Sequence, residues 1–220
     1  MTNYLMMYHK RDVLIAILLS LLIIDLSILV ITFVPVIYAI SLPSFHIDYL
    51  TGKSNAQIYQ AFTTICHYLS IFVGAPLKVP YFTLTKHTLI HFSDVKHLFI
   101  IFQLYVPISV AALIVLIRKA LKDREIMFLK LTVIVTAVIL IVFAFLGLSD
   151  FSSAFVLMHQ LLFRNNYWLI DPIKDPIINI FPEEFFKYCL FGILAIILVL
   201  NAVLLLIYQK NKHRMVKEAL

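Results

Sequence analysis

The chain has 220 residues, 62% of them apolar, with a mean hydropathy of +0.98 and only four glycines, so it carries apolar runs that a soluble domain cannot solvate. That length allows one membrane domain of a few helices, with roughly ninety residues left over on one side. The formal charge of +6 does not indicate nucleic acid, because no Lys/Arg cluster alternates with aromatics and most of the excess flanks apolar runs. Partners are therefore expected to be lipids or membrane-bound substrates.

A short basic start, MTNYLMMYHKRD, precedes an apolar run from Val13 to Leu42. The run is too long for a signal-peptide core and no A-x-A site follows, so it reads as an uncleaved first span that Pro35 kinks in its outer third. Asp25 falls about 18 Å along it, near mid-membrane. The structural reading of Asp25 is a protonated carboxyl bonded to Thr136 or Asn201; the functional one is a proton or ion path. Further spans are expected at about 98–117, 128–148 and 186–208. Eleven of the 18 Lys/Arg lie in the short segments at Lys10–Arg11, Arg118–Lys130 and Lys210–Lys217. Those segments are expected in the cytoplasm with both termini, and the long loops 43–97 and 149–185 outside.

The outer loops are too aromatic and apolar for disorder. Ile58, Phe62, Ile65, Leu69 and Phe72 fall at helical spacing, predicting an amphipathic helix from Ser54 to Val73. Gly74, Pro76 and Pro80 then break helix, and KVPYFTLT alternates as a short strand pair would. The expected fold is thus an all-α integral membrane protein, a single membrane domain over 1–220. Four transmembrane helices carry a small extracytoplasmic subdomain made from the two outer loops. The two cysteines, Cys66 and Cys189, form no CxxC or zinc-ribbon pattern; free thiols are expected, though the outer side permits a disulfide.

Six of the eight histidines, His46, His67, His87, His91, His97 and His159, lie in or beside the outer loops, where imidazole suits proton transfer or metal binding. His87 and His91 are four apart, but Thr88 stands where a zincin helix has Glu; His91, Asp94 and His97 are a second possible zinc set. No GxSxG occurs, and Ser93, Ser149, Ser152 and Ser153 lack a nucleophile-elbow context. Cys66 beside His67 is a weak nucleophile candidate, since helix neighbours point about 100° apart. A third chemistry needs no protein nucleophile: His91 and His159 move protons during acyl transfer within a lipid-like substrate. The competing structural readings are hydrogen-bonded histidines, an Asp94–Lys96 surface pair, plain turns at Asp171-Pro172 and Asp175-Pro176, and interfacial anchoring by Tyr167 and Trp168.

HFSDVKHLF at 91–99, with MHQLLFRNNYWLIDP…DPIINIFPEEFF at 158–186, resembles the bacterial lipoprotein intramolecular transacylase (Lit) family, as does the frame of four spans and two outer loops. The resemblance implies an enzyme of the Gram-positive cytoplasmic membrane acting on diacylglyceryl-modified lipoproteins, without metal or cofactor. It would move the sn-2 acyl chain onto the N-terminal α-amine and leave the N-acyl, S-monoacylglyceryl (lyso) form. By motif match the essential histidines fall at His91 and His159. His159 is then expected to take the amine proton, while His91, with Lys96, serves the oxyanion or the departing alkoxide. Asp94, Asp171 or Asp175 would orient an imidazole, and Asn166 and Trp168 would offer N–H donors to substrate carbonyls. A membrane ester hydrolase, in which water replaces the amine, and a non-enzymatic transporter or assembly subunit are the alternative readings.

Overall fold

Eight α-helices follow one another in the computed structural model, which describes residues 9–218: α1 (Lys10–Phe33), α2 (Val36–Ser41), α3 (Ile47–Thr51), α4 (Asn55–Tyr68), α5 (Lys86–Lys122), α6 (Met127–Ser149), α7 (Phe151–Leu162) and α8 (Glu183–Glu218). Helices α1, α5, α6 and α8 are long and apolar enough to cross a bilayer, so the chain is a multi-pass membrane protein. The first span departs from expectation at its end. Pro35 has no N–H to extend the ladder, so the helix stops at Phe33 and restarts as α2 rather than bending.

The chain forms two compact units. One comprises the described residues up to Ile28, Leu104–Phe145 and those from Ile193 on. Its core is Ile15, Leu22, Leu113, Ala120, Ile126, Phe128 and Leu129, apolar positions of α1, α5, the α5–α6 turn and α6. Asp12, fully buried, accepts a bond from the Phe128 amide at 3.2 Å and so satisfies one of the orphan donors at the start of α6. Arg11 pairs with Asp123 (2.7 Å) and Glu125 at the end of the preceding turn. Thr136 donates to Asn201 at 2.6 Å, joining α6 to α8.

Asp25 takes neither of the partners expected for it. Thr136 and Asn201 satisfy each other, and both Asp25 carboxyl oxygens are buried without a hydrogen bond. An unsatisfied buried polar group costs about 1–3 kcal/mol. Asp25→Leu is therefore expected to raise the thermal midpoint of the protein in detergent; a fall would show that the carboxyl has a partner.

The other unit comprises Leu29–Gln103 and Leu146–Gly192. Its core gathers Tyr38, Ile47, Ile58, Phe62, Ile65, Phe92, Ile177, Ile180 and Phe185 from six helical segments. At the centre the Tyr38 ring stacks on Phe62 with centroids 3.6 Å apart, and its hydroxyl donates to the Ile180 carbonyl at 2.8 Å. Both groups of this buried tyrosine, apolar ring and polar tip, are thereby satisfied. Gly192 lets α8 approach closely here, since a Cβ would lie 2.6 Å from the Ile37 side chain.

The amphipathic helix is present but ends earlier than its periodicity suggests. Ser54 and Gln57 form a capping box at its start, and Ile58, Phe62, Ile65 and Leu69 are buried as expected. The helix stops at Tyr68 because α5 supplies its last partners. Gln103 donates to the Leu69 carbonyl at 2.9 Å and accepts from the Ile71 amide at 3.0 Å, while Lys96 donates to the Val73 carbonyl. Phe72, beyond that stop, is 94% exposed. The expected strand pair is corrected outright: no strand occurs among the described residues. Pro80 lacks a donor and Tyr81 adopts φ = 67°, so the alternation in KVPYFTLT buries Val79, with Leu77 just before it, along an irregular segment.

Candidate active site

Asp175 decides where α5 begins. Its carboxylate accepts from the Thr85 amide (2.7 Å), the Thr85 hydroxyl (2.5 Å) and the buried Thr88 hydroxyl (2.7 Å). A carboxylate is favoured at a helix N-terminus, where the amides lack intrahelical partners. Burial pushes the Asp175 pKa up, but the bonds from Thr85 and Thr88, with His87 nearby, outweigh it and hold the group below its ordinary range. Residues expected in a loop up to 97 thus become the first three turns of a 37-residue helix. Along it His87, His91, Asp94 and Leu98 fall on one face.

The second half of the site comes from α7, a helix within the expected outer loop 149–185. Asp150 caps it, accepting from the Ser153 amide at 3.0 Å. His159 lies in its last turn, and its Nδ1 is 2.8 Å from the Phe155 carbonyl. A carbonyl can only accept, so Nδ1 carries the hydrogen and the neutral ring keeps its lone pair on Nε2. His159 is half-buried: burial lowers its pKa against the bond to Phe155, which raises it, and the result lies below the ordinary value.

The two imidazoles meet. Their centroids are 6.1 Å apart, although 68 positions separate the residues in sequence. Phe163 lies beside both, 5.1 Å from His91 and 5.7 Å from His159, and Trp168 is 5.1 Å from His159. His91 is only 8% exposed, and its Nδ1 has no hydrogen-bond partner. A buried ring nitrogen left open in this way marks a place where a further polar group can bond.

The remaining candidates divide. Asp94 lies beside the pair and accepts from the Asn165 side chain at 2.9 Å. Lys96 does not pair with Asp94; its ammonium binds the Val73 carbonyl and lies 4.2 Å over the Tyr68 ring. Asp171 is exposed in a turn, accepting from the Ile173 amide at 2.9 Å with Lys174 at 3.7 Å. Asp175 is committed to the start of α5. Asn166 is exposed, and its backbone carbonyl closes a turn by accepting from the Leu169 amide. Its neighbour Asn165, which sequence reasoning passed over, is the one that faces α5. Nothing in an Asn-Asn pair says which member turns inward, and the turn after Phe163 decides it. A cavity of about 280 Å³ adjoins the site, lined by Asp94, His97, Leu98, Ile101, Leu162, Phe163, Arg164 and Asn165.

Competing chemistries find less support. Cys66 and Cys189 are free thiols. Burial, with Cys189 nearby, pushes the Cys66 thiol up to about 12, which leaves it without thiolate at neutral pH. Among the described residues no three His, Cys, Asp or Glu side chains converge as a metal site.

Helices and site together define a multi-pass membrane protein in which two imidazoles, from α5 and α7, lie side by side. The sequence matches the family model for "Lipoprotein intramolecular transacylase Lit" over residues 13–186. The chain belongs to that family, and its activity class is transacylase. The membrane integral lipoprotein intramolecular transacylase Lit from Bacillus cereus is 29% identical and superposes with a TM-score of 0.86, covering 93% of this chain and 98% of that one. Two variants of that protein, with a histidine replaced by arginine or by alanine, give 27% identity and a TM-score of 0.83 each, over 93% of this chain and 92% and 94% of theirs. Comparison with curated protein sequences finds no match.

Proposed function

We propose that the protein moves the sn-2 acyl chain of a diacylglyceryl-cysteine lipoprotein to its N-terminal α-amine, producing the N-acyl, S-monoacylglyceryl form. The observation that carries this reading is the histidine pair, one ring with a defined basic nitrogen and the other with an open one. An α-ammonium has a pKa of about 7.7–8 and must lose its proton before it can attack. Nε2 of His159 takes that proton. The amine nitrogen then bonds to the sn-2 carbonyl carbon, whose π electrons move onto oxygen. As the tetrahedral species collapses, the ester C–O bond breaks and the glyceryl alkoxide takes back the proton held by His159, directly or through His91. The nitrogen, cationic after attack, loses its surplus proton to the imidazole so freed and thence to water, so one proton is released overall. The free nitrogen of His91 is available to the oxyanion or the leaving oxygen, and Trp168, its ring 5.1 Å from His159, offers an indole N–H to a substrate carbonyl.

The protein supplies neither nucleophile nor acyl donor, so no cofactor is required. Attacking and attacked groups belong to one molecule, and holding it folded back on itself removes an entropic barrier of about 7 kcal/mol or more. The mixed lining of the adjacent cavity, apolar Leu98, Ile101, Leu162 and Phe163 against polar His97 and Arg164, suits a lipid chain ending in a peptide. The basic segments support cytoplasmic termini and an extracytoplasmic site, and the implied setting is a Gram-positive cytoplasmic membrane.

This reaction conserves mass, which makes it easy to distinguish. Incubated with the purified protein, a synthetic diacylglyceryl lipopeptide should keep its intact mass while one acyl chain becomes amide-linked and resistant to mild base. Loss of one acyl mass would establish a hydrolase, and unchanged mass and linkage with folded protein would establish a non-enzymatic role.

A further inference from the structure

The loop Phe163–Trp168 places an aromatic ring on three histidines: Phe163 on His91 and His159, Tyr167 on His87 with centroids 4.9 Å apart, and Trp168 on His159. One side chain fastens the middle of this loop to α5. The Asn165 amide nitrogen donates to Asp94 at 2.9 Å, and its oxygen accepts from the Tyr167 amide at 3.0 Å. The flanking residues Arg164 and Asn166 are exposed and have no comparable hold on α5.

We infer that Asn165 is a positioning residue for acyl transfer, holding the Phe163–Trp168 loop against α5 so that the His159 ring is clamped in register with His91. This rests on His159 being the base, as proposed above. An amide is suited to the task because it donates at one end and accepts at the other, bridging a carboxylate and a backbone N–H. Aspartate at 165 would set two carboxylates against each other, and alanine would leave Asp94 and the Tyr167 amide without partners. Displacing a reacting group by about 1 Å costs on the order of 10²-fold in rate.

Trp168 is the only tryptophan in the chain, so its emission reports this loop directly. A protonated imidazole quenches a nearby indole, and emission from the native protein should fall as pH drops through the His159 titration. His87, His91 and Asp94 on α5 are the other titratable groups facing the loop, and the His159→Ala variant isolates their share.

In Asn165→Ala we expect kcat to fall by about 10–100-fold with a far smaller change in KM. The pH-dependent quenching of Trp168 should weaken with it. The reciprocal exchange Asp94→Asn with Asn165→Asp rebuilds a donor–acceptor pair and should recover both readouts. Native kcat and native quenching in a folded Asn165→Ala protein would overturn the inference. Should that variant not fold, the reciprocal exchange decides alone: recovery of both readouts supports the clamp, and a folded exchange variant lacking both overturns it. His159→Ala separates the two levels. If it stays active, the base assignment fails; if it is dead while Asn165→Ala is fully active, only the clamp fails.

Discussion

Replacing His159 by alanine is expected to lower kcat by about 10²–10⁴-fold, the usual contribution of a positioned acid–base group. The thermal midpoint should change little, since the ring is half-buried and its one hydrogen bond is to a carbonyl within the same helix. The reason lies in the tautomer. With Nδ1 tied to Phe155, Nε2 is the nitrogen that can receive the substrate proton, and no other residue of α7 offers a base at that place. The pH profile follows with a definite sign. Partial burial holds His159 below the usual histidine value of about 6.5, so the neutral, active ring dominates at pH 7. Activity should therefore rise with pH through an inflection below that value, and rise again as the substrate amine deprotonates. The lipopeptide mass assay measured across pH 5–9 checks both limbs. A His159→Ala enzyme with native kcat, or a profile falling with pH across this range, would remove His159 from the mechanism.

Asp175→Ala should be the most destabilising single change near the site, by about 3–5 kcal/mol, because bonds to a charged acceptor contribute about 1.5–3 kcal/mol each and are not fully additive. Asp175 is 3% exposed, and its removal leaves the fully buried Thr88 hydroxyl and the start of α5 without an acceptor. The first turns of α5 carry His87 and His91, so activity should fall together with stability. That coupling separates Asp175 from His159, whose loss should affect rate alone. The pH sign is that of a depressed carboxyl. The contribution is fully present above the unfolded value of about 3.9 and is lost as pH falls through the lower folded value. Thermal unfolding in detergent should show this acid loss in the native protein and not in Asp175→Asn. Amide exchange at residues 85–92 should quicken in Asp175→Ala. A melt indistinguishable from native would mean that Thr85 and Thr88 find other partners.

The two aspartates of the Asp-Pro dipeptides illustrate what sequence alone conveys. Asp171 and Asp175 look equivalent in the chain, and both were candidates to orient an imidazole. One lies exposed in a turn beside Lys174, and the other is buried under the start of α5. Likewise Asp94 and Lys96 stand two apart in one motif but leave the helix in different directions, Asp94 toward Asn165 and Lys96 toward Val73. Helix phase separates them, and an outer loop ending at 97 carries no such phase.

Composition and periodicity by themselves determined the membrane class, the four apolar segments and the buried face of α4, because each depends on transfer of local side chains out of water. Motif order carried the family and singled out His91 and His159, whose rings the fold brings together. Only the tertiary structure decided that α5 extends back to Lys86, that α7 exists as a capped helix, and that Asn165 rather than Asn166 turns inward. It also decided that, among the described residues, the Asp25 carboxyl has no hydrogen-bond partner and KVPYFTLT no strand partner. Apart from the α7 cap, where Asp150 and Ser153 are three residues apart, each of these outcomes depends on a hydrogen bond made, or left unmade, between residues far apart in the chain, and local pattern does not specify such partners.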